Sequence, residues 1–241
     1  LTYQLPGLAE ASFDVEGADL KEALSGTLRI GYYAPIAPAF LPSILSSFVP
    51  SSGAVTLHLD ECDNDAAQDG LLNGVCDVIL VVSEDVRPTI EFDVLIKAPA
   101  YCLLPREHPL AAAESATMAR VVREPLVVRQ RPFAANYYQG LIDRHADISV
   151  AAYANSTEMV RSLVSAGHGC AELNMRPMTS TSYCGADLAG LPISGPLPPL
   201  TLAIGYDKSR PRRLVRHFID ACHAHFTETG PQQCIVERQV G

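Results

Sequence analysis

Between positions 60 and 69 the chain carries five carboxylates: Asp60, Glu61, Asp63, Asp65 and Asp69. A calcium loop uses oxygen donors at that density, but it needs Gly at its sixth position and Glu at its twelfth, and neither stands in register. The run reads instead as acidic residues favoured by the dipole at a helix N-terminus. Seven cysteines (Cys62, Cys76, Cys102, Cys170, Cys184, Cys222 and Cys234) form no C-x-x-C pair. Their odd count and wide spacing argue against a zinc site or a disulfide framework, and for thiols kept reduced in the cytoplasm. His223 and His225 lie two apart and on a helix would face different sides. Lys208, Arg210, Arg212, Arg213 and Arg216 cluster as a solvated basic face. There is no G-x-S-x-G, H-E-x-x-H or Walker loop. Gly167-His168-Gly169 looks like a broken dinucleotide fingerprint, yet it follows a helix and precedes a strand. A phosphate must meet a helix N-terminus, which needs the reverse order. No catalytic residue, metal ligand or cofactor is assigned, and the expected function is not enzymatic.

What remains is a set of polar or aromatic loops, at 32–37, 63–64, 130–135 and 155–157, each leading from a strand into a helix. The elements that would hold them alternate. Apolar strands are expected at 28–31, 54–60, 78–82, 90–96, 101–104, 126–128, 148–153, 170–173 and 200–206. Val78 to Val82 is continuously apolar, as in a strand buried on both faces. Leu41, Ile44, Leu45 and Phe48 fall at i, i+3, i+4 and i+7 of a helix. Further helices are expected at 65–73, 115–122, 136–145, 156–165 and 211–226. The second is capped by Asp63 or Asn64 and stopped at Gly74. That at 156–165 opens on a capping-box-like Asn155 and Glu158 and ends at Gly167. The last buries Leu214, Phe218, Cys222 and Phe226. Residues 177–199, rich in Pro, Ser and Gly, read as loop. The alternation predicts an α/β fold of parallel sheets covered on both faces, with ligand at the carboxyl ends of the strands.

The composition allows this and excludes much else. The chain has 241 residues, 48% of them hydrophobic and 19% charged, enough for a sizeable core. A net charge of -9 leaves no electrostatic footprint for nucleic acid, and no apolar run is long enough for a membrane helix. Residues 6–24 form a weak helical pattern, and 1–25 read as a linker outside the main core. The opening ten residues lack the basic start and apolar stretch of a signal peptide. A chain starting at Leu1 is expected to be a fragment or a processed form.

Five motifs, in order, carry a family likeness: 26–31 (GTLRIG), 41–48 with its Leu41-Pro42, 73–79 (NGVCDVI), His108-Pro109-Leu110-Ala111, and 163–169 (LVSAGHG). Over about residues 26–226 the chain resembles the effector-binding domain of LysR-type transcriptional regulators. The resemblance implies two Rossmann-like subdomains joined by two crossing strands, as in type 2 periplasmic binding proteins. One subdomain would be 27–97 plus 204–241 and the other 98–203, with 1–25 as the end of a linker helix. A small-molecule effector would lie between them. DNA would be bound only through an N-terminal winged helix-turn-helix absent from this chain. A homodimer would form through the helix at 39–48 and the strand at 54–60.

The effector is expected to touch Tyr32, Tyr33, Ala34, Pro35, Ile36, Asn64, Arg131, Pro132, Phe133, Ser156 and Thr157, because these segments precede helices and offer free N–H groups and short polar side chains. The family often places Ser or Thr after the first strand, where this chain has Tyr32-Tyr33-Ala34-Pro35-Ile36. Tyr32, Tyr33 and Phe133 suit an aromatic or flat apolar body, and Arg131 a carboxylate. The effector is therefore expected to be an organic anion or an aromatic compound. A free-standing solute-binding protein of the same fold is the alternative, and an enzyme on this fold a third.

Overall fold

The computed structural model describes residues 24–33, 37–49, 54–82, 86–130, 140, 148–209 and 212–236. The elements run β1 (Gly26–Tyr32), α1 (Ala37–Phe48), β2 (Val55–Glu61), α2 (Asn64–Leu72), β3 (Val78–Val82), β4 (Glu91–Ala98), β5 (Tyr101–Pro105), β6 (Ala116–Thr117), α3 (Met118–Val121), β7 (Leu126–Arg129), β8 (Val150–Ala154), α4 (Thr157–Ser165), β9 (Ala171–Leu173), β10 (Leu188–Ser194), β11 (Leu200–Tyr206) and α5 (Arg213–Thr229). The expected helices at 6–24 and 136–145 lie outside the described residues, Leu24 and Gly140 apart. Leu24 is buried in the main core. The core thus begins before the expected linker boundary at residue 25.

The first sheet has the order β2-β1-β3-β11-β4. Its strands β2, β1 and β3 are parallel, and β3 is buried at every position. The second sheet has the order β6-β10-β5-β9, and the parallel pair β7-β8 continues it through a bridge from Leu126 to Cys170. The expectation of wholly parallel sheets is corrected here. β11 runs antiparallel to β3 and β4, and β5 runs antiparallel to its neighbours β10 and β9. The cause is the path of the chain. It leaves the first sheet at Ala98, enters the second at Tyr101, and returns from Ser194 to Leu200. The two crossings run side by side: Leu200 faces Ala98, and the Ile193 N–H donates to the Ala100 carbonyl at 3.1 Å. A division between residues 203 and 204 would cut β11, which is bonded to β3 and β4 in the first sheet.

Residues 177–199, expected to be loop, contain β10. Its Pro192 and Gly190 disguise it. Pro192 faces Tyr101 on one side, while β6 pairs only with Ile193 and Ser194 on the other, so the missing N–H is tolerated as at an edge. At Gly190 a Cβ would meet the Tyr101 ring at 3.3 Å and Val236 at 3.1 Å. The helical reading of 115–122 shrinks to α3, preceded by β6.

The family-like motifs have local physical causes. Asp77 accepts from the Arg29 backbone N–H at 2.9 Å, from Arg29 Nη2 at 2.8 Å and from Arg212 Nη1 at 2.6 Å. It thereby ties the start of β3 to β1 and to the approach of α5. Burial alone would raise its pKa, but these donors outweigh burial and hold it below the usual range. His108 accepts from Leu110 N–H at 3.2 Å and caps a 3₁₀ turn at Pro109–Ala112. Gly169 has φ 144°, and a Cβ there would sit 2.1 Å from the Pro125 carbonyl oxygen. Only glycine lets β9 come that close to the start of β7.

Core packing joins α1 to α5. Phe40 meets Phe226 edge-on at 5.1 Å and Phe48 meets Phe218 at 5.5 Å. Leu41, Ile44, Leu45 and Phe48 are all buried within the one chain. The apolar face of α1 is therefore used internally.

Candidate functional site

Strand ends of both sheets converge on one cavity. Tyr33 follows β1, Val82 ends β3, Arg129 ends β7, and Leu173, Asn174 and Met175 close β9. The first turn of α1 adds Ala37 and Phe40, and β11 adds Leu200 and Leu202. In sheets of this kind the carboxyl ends of parallel strands leave a crevice that helix N-termini face. The cavity measures about 20 Å³, room for about one water molecule.

Among the described residues its walls are apolar except for Arg129, Asn174 and the Tyr33 hydroxyl. Asn174 Nδ2 donates to the Ala98 carbonyl at 3.1 Å, beside the first crossing. Arg129 is only 4% exposed. Its Cζ stands 5.7 Å from the centroid of the Tyr33 ring, while its buried Nε and Nη2 have no hydrogen-bond partner among the described residues. Burying such a donor without an acceptor is costly, so the arrangement is complementary to a negative charge.

The expected site residues fare differently. Tyr33 lines the cavity. Tyr32 does not: it lies at the end of the β1–β2 pair, opposite Glu61. Its phenol pKa is raised by burial, then by Glu61, Cys62 and Asp60. Asn64 is fully buried and does not line the cavity; its Oδ1 accepts from the N–H of Val82, which does, at 3.0 Å. The cap of α2 is Asp63, whose carboxylate accepts from Ala66 N–H at 2.8 Å. Ser156 is the exposed cap of α4. Glu158 does not close a capping box with Asn155; it accepts from Arg161 Nε at 2.8 Å and Tyr183 N–H at 2.6 Å. Thr157, the first residue of α4, is buried, and its Oγ1 has no hydrogen-bond partner among the described residues. Arg129 faces Ala154 across the β7–β8 pair, so Arg129 and Thr157 leave the same end of that pair. Ala34, Pro35, Ile36, Arg131, Pro132 and Phe133 lie outside the described residues. The sequence reading missed Arg129, although a charge ending the apolar run Leu126–Val128 was a visible signal.

Asn64 has a structural duty at the end of β3. Asn64→Ala removes the acceptor from a buried N–H, so it should destabilise the protein by about 1–3 kcal/mol and lower the melting temperature by roughly 2–12 °C. A melting curve unchanged within about 1 °C would contradict that role.

The two crossed sheets and the cavity between them define an effector-binding domain of the type 2 periplasmic-binding-protein class. The model of the LysR substrate binding domain matches residues 21–227, and the chain belongs to that family. It is similar to the HTH-type transcriptional regulator AlsR of Bacillus subtilis, 24% identical over 208 residues, which are 85% of this chain and 68% of that one. Its structure is similar to that of HinK, a LysR family transcriptional regulator from Pseudomonas aeruginosa, with a TM-score of 0.77 and 24% identity, covering 90% of this chain and 76% of that one. It is also similar to the BenM effector binding domain with its effector benzoate, with a TM-score of 0.71 and 16% identity, covering 85% and 93% of the two chains. The chain is thus the substrate-binding domain of a LysR-type transcriptional regulator, and nothing in these comparisons favours a free-standing solute-binding protein.

Proposed function

We propose that this domain senses a small organic carboxylate held between the two sheets, and that Arg129 reads its charge. The buried guanidinium with unpartnered Nε and Nη2 carries this reading. A desolvated cation is costly alone, and a carboxylate accepting from its fork would offset that cost with strong, charge-assisted bonds. The Tyr33 ring and the apolar walls from Phe40, Leu173, Met175 and Leu200 suit a flat body. The Thr157 hydroxyl, at the N-terminus of α4, is a second donor for the same anion. The benzoate of the BenM domain is consistent with this chemistry.

A cavity of about 20 Å³ is too small for benzoate, so binding requires the sheets to part. The two crossings, near residues 98–101 and 194–200, are the hinge of this proposal. One subdomain then holds residue 27 to the first crossing and β11 to the C-terminus; the other holds the residues between. Effector binding shifts the balance between open and closed forms by its differential affinity for them. The output goes through an N-terminal DNA-binding domain, which 1–25 would link to this one. The assembly is a homodimer that uses the outward, serine-bearing side of α1 and the edge strand β2, since the apolar side of α1 is internal. The protein works in the cytoplasm and catalyses no reaction.

The test is a melting-temperature screen with benzoate, shikimate and other small carboxylates against neutral amides such as benzamide. A matching carboxylate at about 100 times its Kd should stabilise the fold by roughly 2.7 kcal/mol, a shift of about 5–10 °C. Equal shifts with the amides would refute the charge-reading role, and flat curves across the carboxylates would refute the ligand class.

A further inference from the structure

A second cavity, of about 330 Å³, opens against β5 and β10 beside α4 and shares no lining residue with the cleft. Its volume is that of a small-molecule site. Three arginines line it, Arg106, Arg161 and Arg176, and among the described residues no Asp or Glu does. In a chain of net charge -9 this concentrates positive charge at one point.

Of the three, Arg161 is ion-paired, to Glu158; Arg106 and Arg176 have no acidic partner among the described residues. Arg161, 2% exposed, is fixed from one side. Its Nε donates to Glu158 at 2.8 Å, and its Nη2 donates to the Thr179 and Thr181 carbonyls at 3.0 and 2.8 Å. Its Nη1 makes no hydrogen bond among the described residues. Among the described residues Arg176 makes only a long side-chain contact, Nη2 to the Gln232 carbonyl at 3.4 Å, and the Arg106 side chain makes no hydrogen bond. Arg161 and Arg176 share this cavity wall with Tyr101. Three cations around one space repel each other unless an anion joins them. Leu103, Leu188 and Val236 add an apolar wall.

We infer that this cavity is a second ligand site, for a small organic dianion of the phosphate-ester type with a short apolar body. Arg161 is the preorganised floor, and Arg106 and Arg176 close on the phosphate from the exposed rim. Arg forks match phosphate oxygens in pairs.

Phenyl phosphate titrated into the full chain by calorimetry tests this. It should bind with a Kd below about 1 mM, and benzoate should compete for this site at least about tenfold more weakly. The double variant Arg106→Gln/Arg176→Gln alters exposed side chains and should fold normally. It should weaken phenyl phosphate by about tenfold or more, while Arg129→Met, which alters the cleft, should leave that affinity within about twofold. The inference is overturned if no heat develops up to about 10 mM, if the double variant titrates like the parent, or if Arg129→Met removes the binding. The last result would assign phenyl phosphate to the cleft, and loss of carboxylate binding there would not affect this second site.

Discussion

Arg129→Met should do two opposite things at once: weaken carboxylate binding by two orders of magnitude and raise the melting temperature of the unliganded domain. In the unliganded protein the guanidinium is desolvated, its Nε and Nη2 are unpartnered, and the Tyr33 ring lies 5.7 Å from Cζ. A cation–π contact of this kind offsets about 1–2 kcal/mol, whereas burying an unpaired ion costs several. Methionine keeps the length, adapts to the space and carries no charge. A gain of about 1–2 kcal/mol, or roughly 2–8 °C, is expected. Truncating one partner of a buried, hydrogen-bonded charge pair costs about 2–5 kcal/mol, so affinity should fall by roughly 30-fold to several-thousand-fold. Arg129→Lys keeps the charge but loses the paired geometry and should fall between. Melting curves and calorimetry with the carboxylate selected by the screen give both readings. A purely structural arginine would behave in reverse, with the melting point lowered and the affinity intact.

The sequence displayed the framework more clearly than the site. β3 was legible because five apolar residues in a row suit only a strand covered on both sides. α1 and α5 were legible because their apolar positions follow one face, and that face is the buried one. β10 was not, because Pro192 and Gly190 are local breaker signals that tertiary context overrides. The antiparallel return of β11 depends on where the chain crosses, which no periodicity records. At the site, Tyr33 was found but Tyr32 points elsewhere, because neighbours in a strand face opposite ways. Arg131 was named for a role that Arg129 fits, since the strand runs one residue further than its apolar stretch. Phe40, Leu173 and Leu202 come from three distant segments and meet only once the two sheets are stacked.

Glu172→Gln should stabilise the domain at neutral pH and remove a pH dependence that the parent shows. Glu172 sits in β9, buried at all three positions, opposite Cys102 of β5. Its Oε1 has no hydrogen-bond partner among the described residues, and burial pushes its carboxyl well above the usual range. In the unfolded chain the same group titrates near about 4.3. Above that pH the unfolded chain releases the proton while the folded chain keeps it. The unfolded state then binds fewer protons, so stability falls as pH rises, by about 1.4 kcal/mol per pH unit for this one group. The fall continues until the raised folded pKa is reached and then stops. Glutamine has the same shape and does not ionise, so the variant should match the parent near pH 4 and exceed it increasingly toward neutrality. Asp77, whose pKa is lowered, acts in the opposite sense and below this window: its contribution is lost only as pH falls through its folded value. It is also common to both proteins, so it cancels in the difference. Urea unfolding of parent and variant at several pH values between about 4.5 and 8 measures that difference directly. Parallel stability profiles would show that Glu172 finds water or a partner in the folded state and ionises there as freely as in the unfolded chain.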